Sequence, residues 1–340
     1  MHNRWHPDLE PVATVAPGDE LRLETEDGLA GQLGPESPHE DAAALDLGLG
    51  HPLTGPVFVE GAEPGDVLEV EFLDYETSAT GVTAIIPGFG FLADLFPDPY
   101  VAGWRIDGDR ARSPELPGVA VPGAPFAGVA GVAPSHETLE RIRAREEELR
   151  GRGGSVAPDL PEAAAPPRAA SGLRTIPPRE LGGNLDVPQL VASSRLLLPV
   201  DVPGALFSVG DLHFAQGEGE VCGTGIEIAG AVTVRFGLRK RPAWRPTFPA
   251  YETPARPGRA CFATTGLPVD ESGQNESLDL SLATRRALGE MLDWLTAERG
   301  LGREAAYVLM SAAVDLRLSE VVDVPNPVVS ALVPLDVFEA

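Results

Sequence analysis

Alternation of apolar and polar residues predicts β-strands along much of the chain. Residues 21–26 (LRLETE) and 67–73 (VLEVEFL) alternate with a period of two, which is typical of half-buried strands. Residues 57–60 predict a further strand, bounded by glycine and proline turns. Apolar residues 82–92 indicate a buried strand and loop, and strand patterning returns over 195–238. The chain is therefore expected to be rich in β-structure.

Helical spacing replaces this alternation in a few segments. Residues 135–150 carry apolar side chains at near-helical intervals, and Ser135 is placed to cap the first turn. Residues 281–299 form an amphipathic pattern that ends at Gly300, a residue suited to terminating a helix. A shorter helix is predicted over 303–313, which would complete a C-terminal pair.

These elements predict a β-rich α+β fold, with a β-sandwich or barrel-like core and a few helices. We expect one unit over residues 1–340, with an N-terminal β-rich part at 1–134. A helix and an insertion rich in Gly, Pro and Ala follow at 135–170. Residues 171–340 form a second β-rich part that carries the candidate chemistry and the C-terminal helices. Because residues 151–170 cannot bury a core, we expect them to be dispensable for chemistry.

Composition and charge exclude several classes of protein. The 38 glycines and 34 prolines indicate many tight turns, and a net charge of -25 with Lys240 as the only lysine argues against nucleic-acid binding. Two cysteines are too few for a disulfide framework. The N-terminus lacks the features of a signal peptide, and the longest apolar stretch is too broken to span a membrane. We therefore expect an acidic cytoplasmic protein.

The first candidate site is the pair Asp211 and His213 in the segment GDLHFAQGEGE. On an extended strand, residues i and i+2 point to the same side, so this carboxylate and imidazole converge. Oxygen and nitrogen donors of this kind hold divalent transition ions. A hydrogen-bonded loop is the alternative interpretation.

Three glutamates follow this pair closely. Glu218, Glu220 and Glu227 lie within sixteen residues of Asp211. Such crowding near a β-rich core is unfavourable unless a cation or shifted pKa values compensate it. A solvated acidic loop is the alternative for Glu218 and Glu220, but it suits Glu227 poorly because Ile226 and Ile228 flank it.

Weaker clusters lie elsewhere in the chain. Asn184 and Asp186 follow two glycines, although an Asx-type turn would explain them equally well. His51 lies near Asp46 and forms a third, weaker cluster. Cys222 has no neighbouring histidine and is better explained as a structural thiol than as a nucleophile.

Four co-linear segments give the chain a resemblance to the acetamidase/formamidase family. They are GPVFVEGAEPGDVLEVEF at 55–72, TIPPRELGGNLD at 175–186, VPGALFSVGDLHFAQGEGEVCGTGIEIAG at 202–230, and YVLMSAAVDLRLSEVVDVPNPVVSALVP at 307–334. The similarity covers nearly the whole chain. The middle segment and the TIPPRE motif look more like the formamidase branch. The family commonly reads QGDGE where this chain has Glu218.

The resemblance implies hydrolysis of a small carboxamide, of the formamide or acetamide type, to a carboxylate and ammonia. It also implies a β-rich fold and a divalent metal, with zinc as the expected ion. Carried onto this chain, it assigns roles to the GGNxD, GDxH, GE and IE positions. These are Asn184, Asp186, Asp211, His213, Glu220 and Glu227.

On this basis we expect Asp211 and His213 to hold the metal. Asp186 or His51 would complete the ligand set. Glu227 is expected to be a further ligand or a group that orients the imidazole. The metal would lower the pKa of a bound water. Glu220 is the expected proton shuttle, with Glu218 as a second catalytic candidate, and Asn184 is expected to contact the substrate.

Two other interpretations remain open at this point, namely a non-catalytic β-rich module that binds a metal or small ligand, and a cysteine hydrolase that uses Cys222. A homo-oligomer is expected for a large β-rich enzyme of this type.

Overall fold

The computed structural model describes residues 1–90, 93–94, 96–117, 119–220, 222–254, 260–301, 306, 314–335 and 338. Among these residues, two large sheets and a two-stranded ribbon contain the strands. The ribbon pairs β1 (Arg4–Trp5) with β11 (Leu173–Arg174).

The first large sheet holds ten strands in the part of the chain described. They are β2 (Ala13–Val15), β4 (Leu53–Val59), β6 (Thr80–Ile85), β7 (Tyr100–Asp107), β8 (Arg110–Arg112), β9 (Val121–Pro122), β10 (Phe126–Val132), β12 (Gly182–Asn184), β14 (Phe207–His213) and β15 (Glu227–Ile228). The order is β12-β10-β14-β15-β6-β7-β8-β9, and β4 pairs with both β14 and β2. Only the β2–β4 pairing described here is parallel.

The second large sheet holds eight strands among the described residues, in the order β19-β20-β18-β17-β13-β5-β16-β3. They are β3 (Glu20–Thr25), β5 (Val67–Thr77), β13 (Arg195–Pro199), β16 (Gly230–Arg239), β17 (Ala250–Thr253), β18 (Cys261–Gly266), β19 (Asp315–Glu320) and β20 (Val328–Pro334). All of its described pairings are antiparallel.

The main hydrophobic core lies between the two sheets and takes buried residues from both. Strand β13 shows why the period of two matters. Leu196 and Leu198 point into this core, whereas Leu197 between them belongs to a second cluster on the opposite face. The alternation of side chains therefore lets one strand serve two cores.

Helices cover the outer faces of the sandwich. Helix α1 (His136–Gly151) is capped by Ser135, whose hydroxyl accepts a hydrogen bond from the Thr138 amide at 3.2 Å. Helix α2 (Leu280–Arg299) packs on the second sheet and ends at Gly300 in the left-handed conformation. Short 3₁₀ helices lie at His39–Ala44, Pro161–Ala163 and Pro167–Ala169.

The predicted fold class is confirmed, since the protein is β-rich, has a sandwich core and carries a C-terminal helix. The strands predicted at 21–26 and 67–73 correspond to β3 and β5. The shorter helix predicted at 303–313 lies outside the described residues, apart from the helical Ala306. Among the helices that the structure describes, none has the length and apolarity needed to cross a membrane.

Candidate active site

The centre of the candidate site lies where β14 runs between β10 and β15. His213 ends β14 and pairs with Glu227 of β15 on one side and with Phe126 of β10 on the other. Directly cross-strand residues have their side chains close together, so this register brings the imidazole and the Glu227 carboxylate into contact. His213 is buried, and its ring meets Phe126 edge-on at 5.0 Å.

Several carboxylates surround the imidazole of His213. Its Nε2 atom lies 3.1 Å from Glu227 Oε1, 3.5 Å from Asp211 Oδ1 and 3.9 Å from Glu220 Oε1. On the other side of the ring, Nδ1 lies 3.9 Å from Asp186 Oδ1. The predicted convergence of Asp211 and His213 is therefore observed.

Gln216 orients the imidazole, and the sequence analysis did not identify it. Its side-chain nitrogen donates to the Asp186 carbonyl at 3.1 Å, so its amide oxygen faces His213 Nδ1 at 2.6 Å. Nδ1 must then carry the proton in this hydrogen bond. In the neutral ring, this tautomer would leave the Nε2 lone pair on the side of the carboxylates, as a metal-ligating histidine requires.

The electrostatics of the cluster favour a positive charge. Burial opposes the protonation of His213, but the carboxylates of Glu227 and Asp211 outweigh it and raise the pKa of the imidazole well above its usual value. Burial likewise opposes ionisation of Asp211, yet His51 and His213 hold its pKa below the usual range. Excess negative charge at this site needs protons or a cation.

The other carboxyl groups of the cluster show the cost of burial. Burial raises the pKa of Asp186 and of Glu220 well above their usual values, and it raises the pKa of Glu227 to about 7. The desolvated carboxylates also repel one another.

Two further acidic residues lie beside Asn184, and sequence reasoning missed them. Asn184 donates from Nδ2 to Asp323 Oδ2 at 2.7 Å, and burial raises the pKa of Asp323 to about 7. Glu320 accepts from the Asp323 amide at 2.6 Å. Both belong to a segment that carries the family resemblance, but neither residue stands in a motif with a recognisable spacing of ligands.

Backbone strain is present at this cluster. His51, Asp186, Asp211 and Glu220 all have positive φ angles, between 43° and 56°. Residues other than glycine adopt this conformation at a cost, and such strain gathers at functional sites.

Gly128 of β10 makes room for the carboxylates. A β-carbon at this position would lie 2.5 Å from both Asp186 Oδ1 and Asp211 Oδ2. Only a residue without a side chain fits here, and the close approach explains why a glycine occupies the middle of a buried strand.

The structure does not bring every predicted residue to the cluster. His51 lines the same cavity as Asp211 and His213 and is partly buried, whereas Glu218 lies at the surface. Glu218 accepts hydrogen bonds from Gln189 at 2.8 Å and from Arg317 at 2.9 Å. The prediction that placed Glu218 among the catalytic groups therefore needs correction, because these partners hold its carboxylate away from the others.

A cavity of about 140 Å³ adjoins the cluster. Its lining combines apolar side chains with polar ones, namely His51, Arg174, Asn184, Asp211, His213, Glu220, Thr224, Glu227 and Asp323. The half-buried thiol of Cys222 is hydrogen-bonded to Thr224 and is not among the residues that line this cavity in the described chain.

The insertion contributes two residues to the cavity wall, and the dispensability of residues 151–170 for chemistry stays a prediction. Ala157 and Pro158 line the cavity. Arg174 donates to the Pro158 carbonyl at 2.6 Å and also to the Leu47 carbonyl. The buried Arg4 donates to the Leu160 carbonyl at 2.6 Å. Hydrogen bonds to buried arginines fix the segment in place, which a reading of composition alone could not reveal.

The residues present fit a divalent metal ion. Donor atoms of Asp211, His213 and Glu227 lie within 4.8 Å of one another, and the same holds for Asp186, His213 and Glu220. Both oxygens of Asp186 and Oε2 of Glu227 are buried and lack hydrogen-bond partners among the described residues. Buried oxygens without donors are expected where a cation completes the site.

Comparison with known proteins identifies the family of the chain and agrees with the fold. The Acetamidase/Formamidase family model matches residues 1–340. The chain belongs to this family. A formamidase from Methylophilus methylotrophus is 37% identical, with the match covering 100% of this chain and 89% of that protein. An acetamidase from Mycolicibacterium smegmatis is 35% identical, with coverage of 92% and 86%.

A solved structure extends the comparison to the fold. The γ-lactamase from Delftia acidovorans superposes with a TM-score of 0.73 at 35% identity, covering 100% of this chain and 89% of that one. The predicted family is thereby confirmed, and at the level of the family so is the predicted class, a hydrolase of carboxamide C–N bonds.

Proposed function

We propose that the protein hydrolyses small carboxamides to a carboxylate and ammonia at the cluster around His213. The observation that carries this proposal is the buried imidazole surrounded by Asp186, Asp211, Glu220 and Glu227 at the polar end of a small cavity. Membership of the acetamidase/formamidase family supports the reaction class.

We propose a metal site formed by Asp211, His213 and Glu227, with zinc as the ion. The proton on His213 Nδ1 leaves Nε2 facing Asp211 and Glu227, which favours this set over one containing Asp186. A bound divalent ion would supply a water of lowered pKa and would polarise the amide carbonyl. His51, which lines the same cavity as Asp211 and is partly buried, is available as a further ligand.

Glu220 is proposed to move the proton. Hydrolysis forms a bond between a water oxygen and the carbonyl carbon and breaks the C–N bond, and the nitrogen leaves as ammonia only after it gains a proton. Glu220 lies 3.9 Å from His213 Nε2, on the cavity wall, so its carboxyl group can take the proton from water and return it to nitrogen. The Gly219 amide donates a hydrogen bond to the Ser319 carbonyl at 3.1 Å, which fixes the loop before Glu220.

Asn184 is proposed to orient the substrate. Because its Nδ2 donates to Asp323, its buried Oδ1 faces away from that partner and has no donor among the described residues. This oxygen can accept a hydrogen bond from the NH₂ group of a carboxamide. Asp323 would act through Asn184 by fixing which end of the side-chain amide faces the substrate.

Ammonia release tests the proposed function. The purified protein should release ammonia from formamide, acetamide or butanamide. 2-Pyrrolidinone is assayed separately by formation of 4-aminobutanoate, because hydrolysis of a lactam frees no ammonia, and it is included because a structural relative is a γ-lactamase. A chelator should abolish the release, and added zinc should restore it. Release that resists chelation and stops with a thiol reagent would instead support a cysteine hydrolase, and no release would support a binding module. Homo-oligomeric assembly and a cytoplasmic location stay predictions.

Gly128→Ala should weaken metal binding by about 10- to 100-fold, because the new β-carbon displaces the carboxylates of Asp186 and Asp211 that it would contact at 2.5 Å. Gly289→Ala is the matched control, since a β-carbon there meets no atom within 4 Å. Metal titration of both purified variants measures the effect. Equal affinities would show that the site tolerates this displacement.

Arg174→Gln should raise KM for a small amide by about 10-fold or more, because the hydrogen bonds to the Pro158 and Leu47 carbonyls that hold the cavity wall would be lost. Arg168→Gln, at an exposed position of the same segment, is the control. Steady-state kinetics separate KM from kcat. A fall in kcat at unchanged KM would argue against a role in positioning the wall.

A further inference from the structure

Part of the cavity wall is apolar, in contrast to the polar groups of the proposed catalytic cluster. This wall, called the acyl wall below, consists of Leu29, Leu47, Ile86, Phe89, Pro158 and Ile176. It runs from buried residues such as Leu29 to exposed ones at the rim, where Leu47 is 40% exposed. Apolar surface left in contact with water is unfavourable, and a concave apolar surface next to a polar cluster is typical of a ligand site.

We propose that the acyl wall binds the hydrocarbon chain of an aliphatic carboxamide of about four or five carbon atoms. The inference rests on the proposed function and specifies its substrate class. The cavity volume of about 140 Å³ is close to that of an apolar protein cavity of about 150 Å³ that binds benzene. Formamide has no carbon chain and would leave the acyl wall uncovered.

Electrostatic repulsion restricts the hydrocarbon chain of the substrate to uncharged groups. The acidic cluster repels an amide substrate that carries a carboxylate on its chain. Arg174 is the arginine among the lining residues described, and its terminal nitrogens donate to the carbonyls of Pro158 and Leu47. It therefore does not offer a free fork of donors to a substrate carboxylate. The acyl wall thus selects hydrocarbon over charged chains of equal length.

A substrate series tests the inference. We expect kcat/KM to rise about fourfold or more for each added carbon from formamide through acetamide and propanamide to butanamide and pentanamide, as burial of a methylene group predicts. Succinamate, which carries a carboxylate on a chain of similar length, should be hydrolysed at least about 100-fold less efficiently than pentanamide. A flat or falling series, with measurable hydrolysis of formamide, would overturn the inference and leave the proposed function intact.

Variants at one position test the acyl wall itself. Ile176→Phe should lower the ratio of kcat/KM for pentanamide to that for formamide by about 10-fold, and Ile176→Ala should shift the optimum to a longer chain. Val12→Phe is the control, because Val12 is 59% exposed and does not line the cavity. An unchanged ratio in both Ile176 variants would overturn the assignment.

A binding measurement keeps the two proposals separable. If no amide in the series is hydrolysed, the proposed function fails, and the acyl wall is then tested by calorimetry with 2-pentanone, a ketone of matching size. Binding that is weakened in Ile176→Phe but not in Val12→Phe would support the acyl wall. Absence of binding would overturn it as well.

Discussion

His213→Ala should lose its bound metal and at least about three orders of magnitude in turnover, since a catalytic metal ion contributes several kcal/mol to the stabilisation of the transition state. His213 is shared by both groups of residues that could hold an ion, so no alternative set within the described residues replaces it. Metal content by elemental analysis and ammonia release together measure the effect.

His136→Ala is the matched control for this variant. His136 lies on α1, is 66% exposed and contacts Asp8 at 3.0 Å, so its removal should leave metal and activity unchanged. Circular dichroism must show that His213→Ala is folded, because the imidazole packs against Phe126. A folded His213→Ala that keeps full metal and full activity would show that the ligand assignment is wrong.

Glu220→Gln should keep its metal while turnover falls by about two to four orders of magnitude, the usual contribution of a general acid–base group. Glutamine preserves the size of the side chain and much of its hydrogen bonding, but it cannot exchange a proton. Elemental analysis and single-turnover measurements of ammonia release separate metal binding from the chemical step.

Glu218→Gln provides the comparison within the same loop. Its carboxylate is bound by Arg317 and Gln189 at the surface, so the change should alter turnover by no more than a few fold. Loss of metal in Glu220→Gln would instead make Glu220 a ligand, as its position beside Asp186 and His213 allows. Near-normal turnover with full metal would transfer the proton shuttle to Glu227.

The sequence alone determined the local chemistry of the site. Asp211 and His213 lie two residues apart, and their side chains meet although the positive φ of Asp211 interrupts the extended strand. The isoleucines that flank Glu227 indicate that this residue does not lie in a solvated loop. In the structure, Glu227 pairs directly with His213. The alternation of residues 67–73 and the cap at Ser135 were likewise predictable, because both depend on neighbours along the chain.

Only the tertiary structure decided which distant residues join this site. Gly128 and Asp323 reach the cluster through the pairing of strands and loops far apart in sequence, and no local spacing signals such contacts. Glu218 and Glu220 look alike in sequence, but Arg317 from β19 holds one at the surface while the other is buried. Composition indicates an exposed loop or insertion at residues 151–170, and only the structure shows that Arg4 and Arg174 fix this segment against the cavity. Periodicity and motifs report on local geometry, whereas burial and long-range hydrogen bonds exist only once the chain has folded.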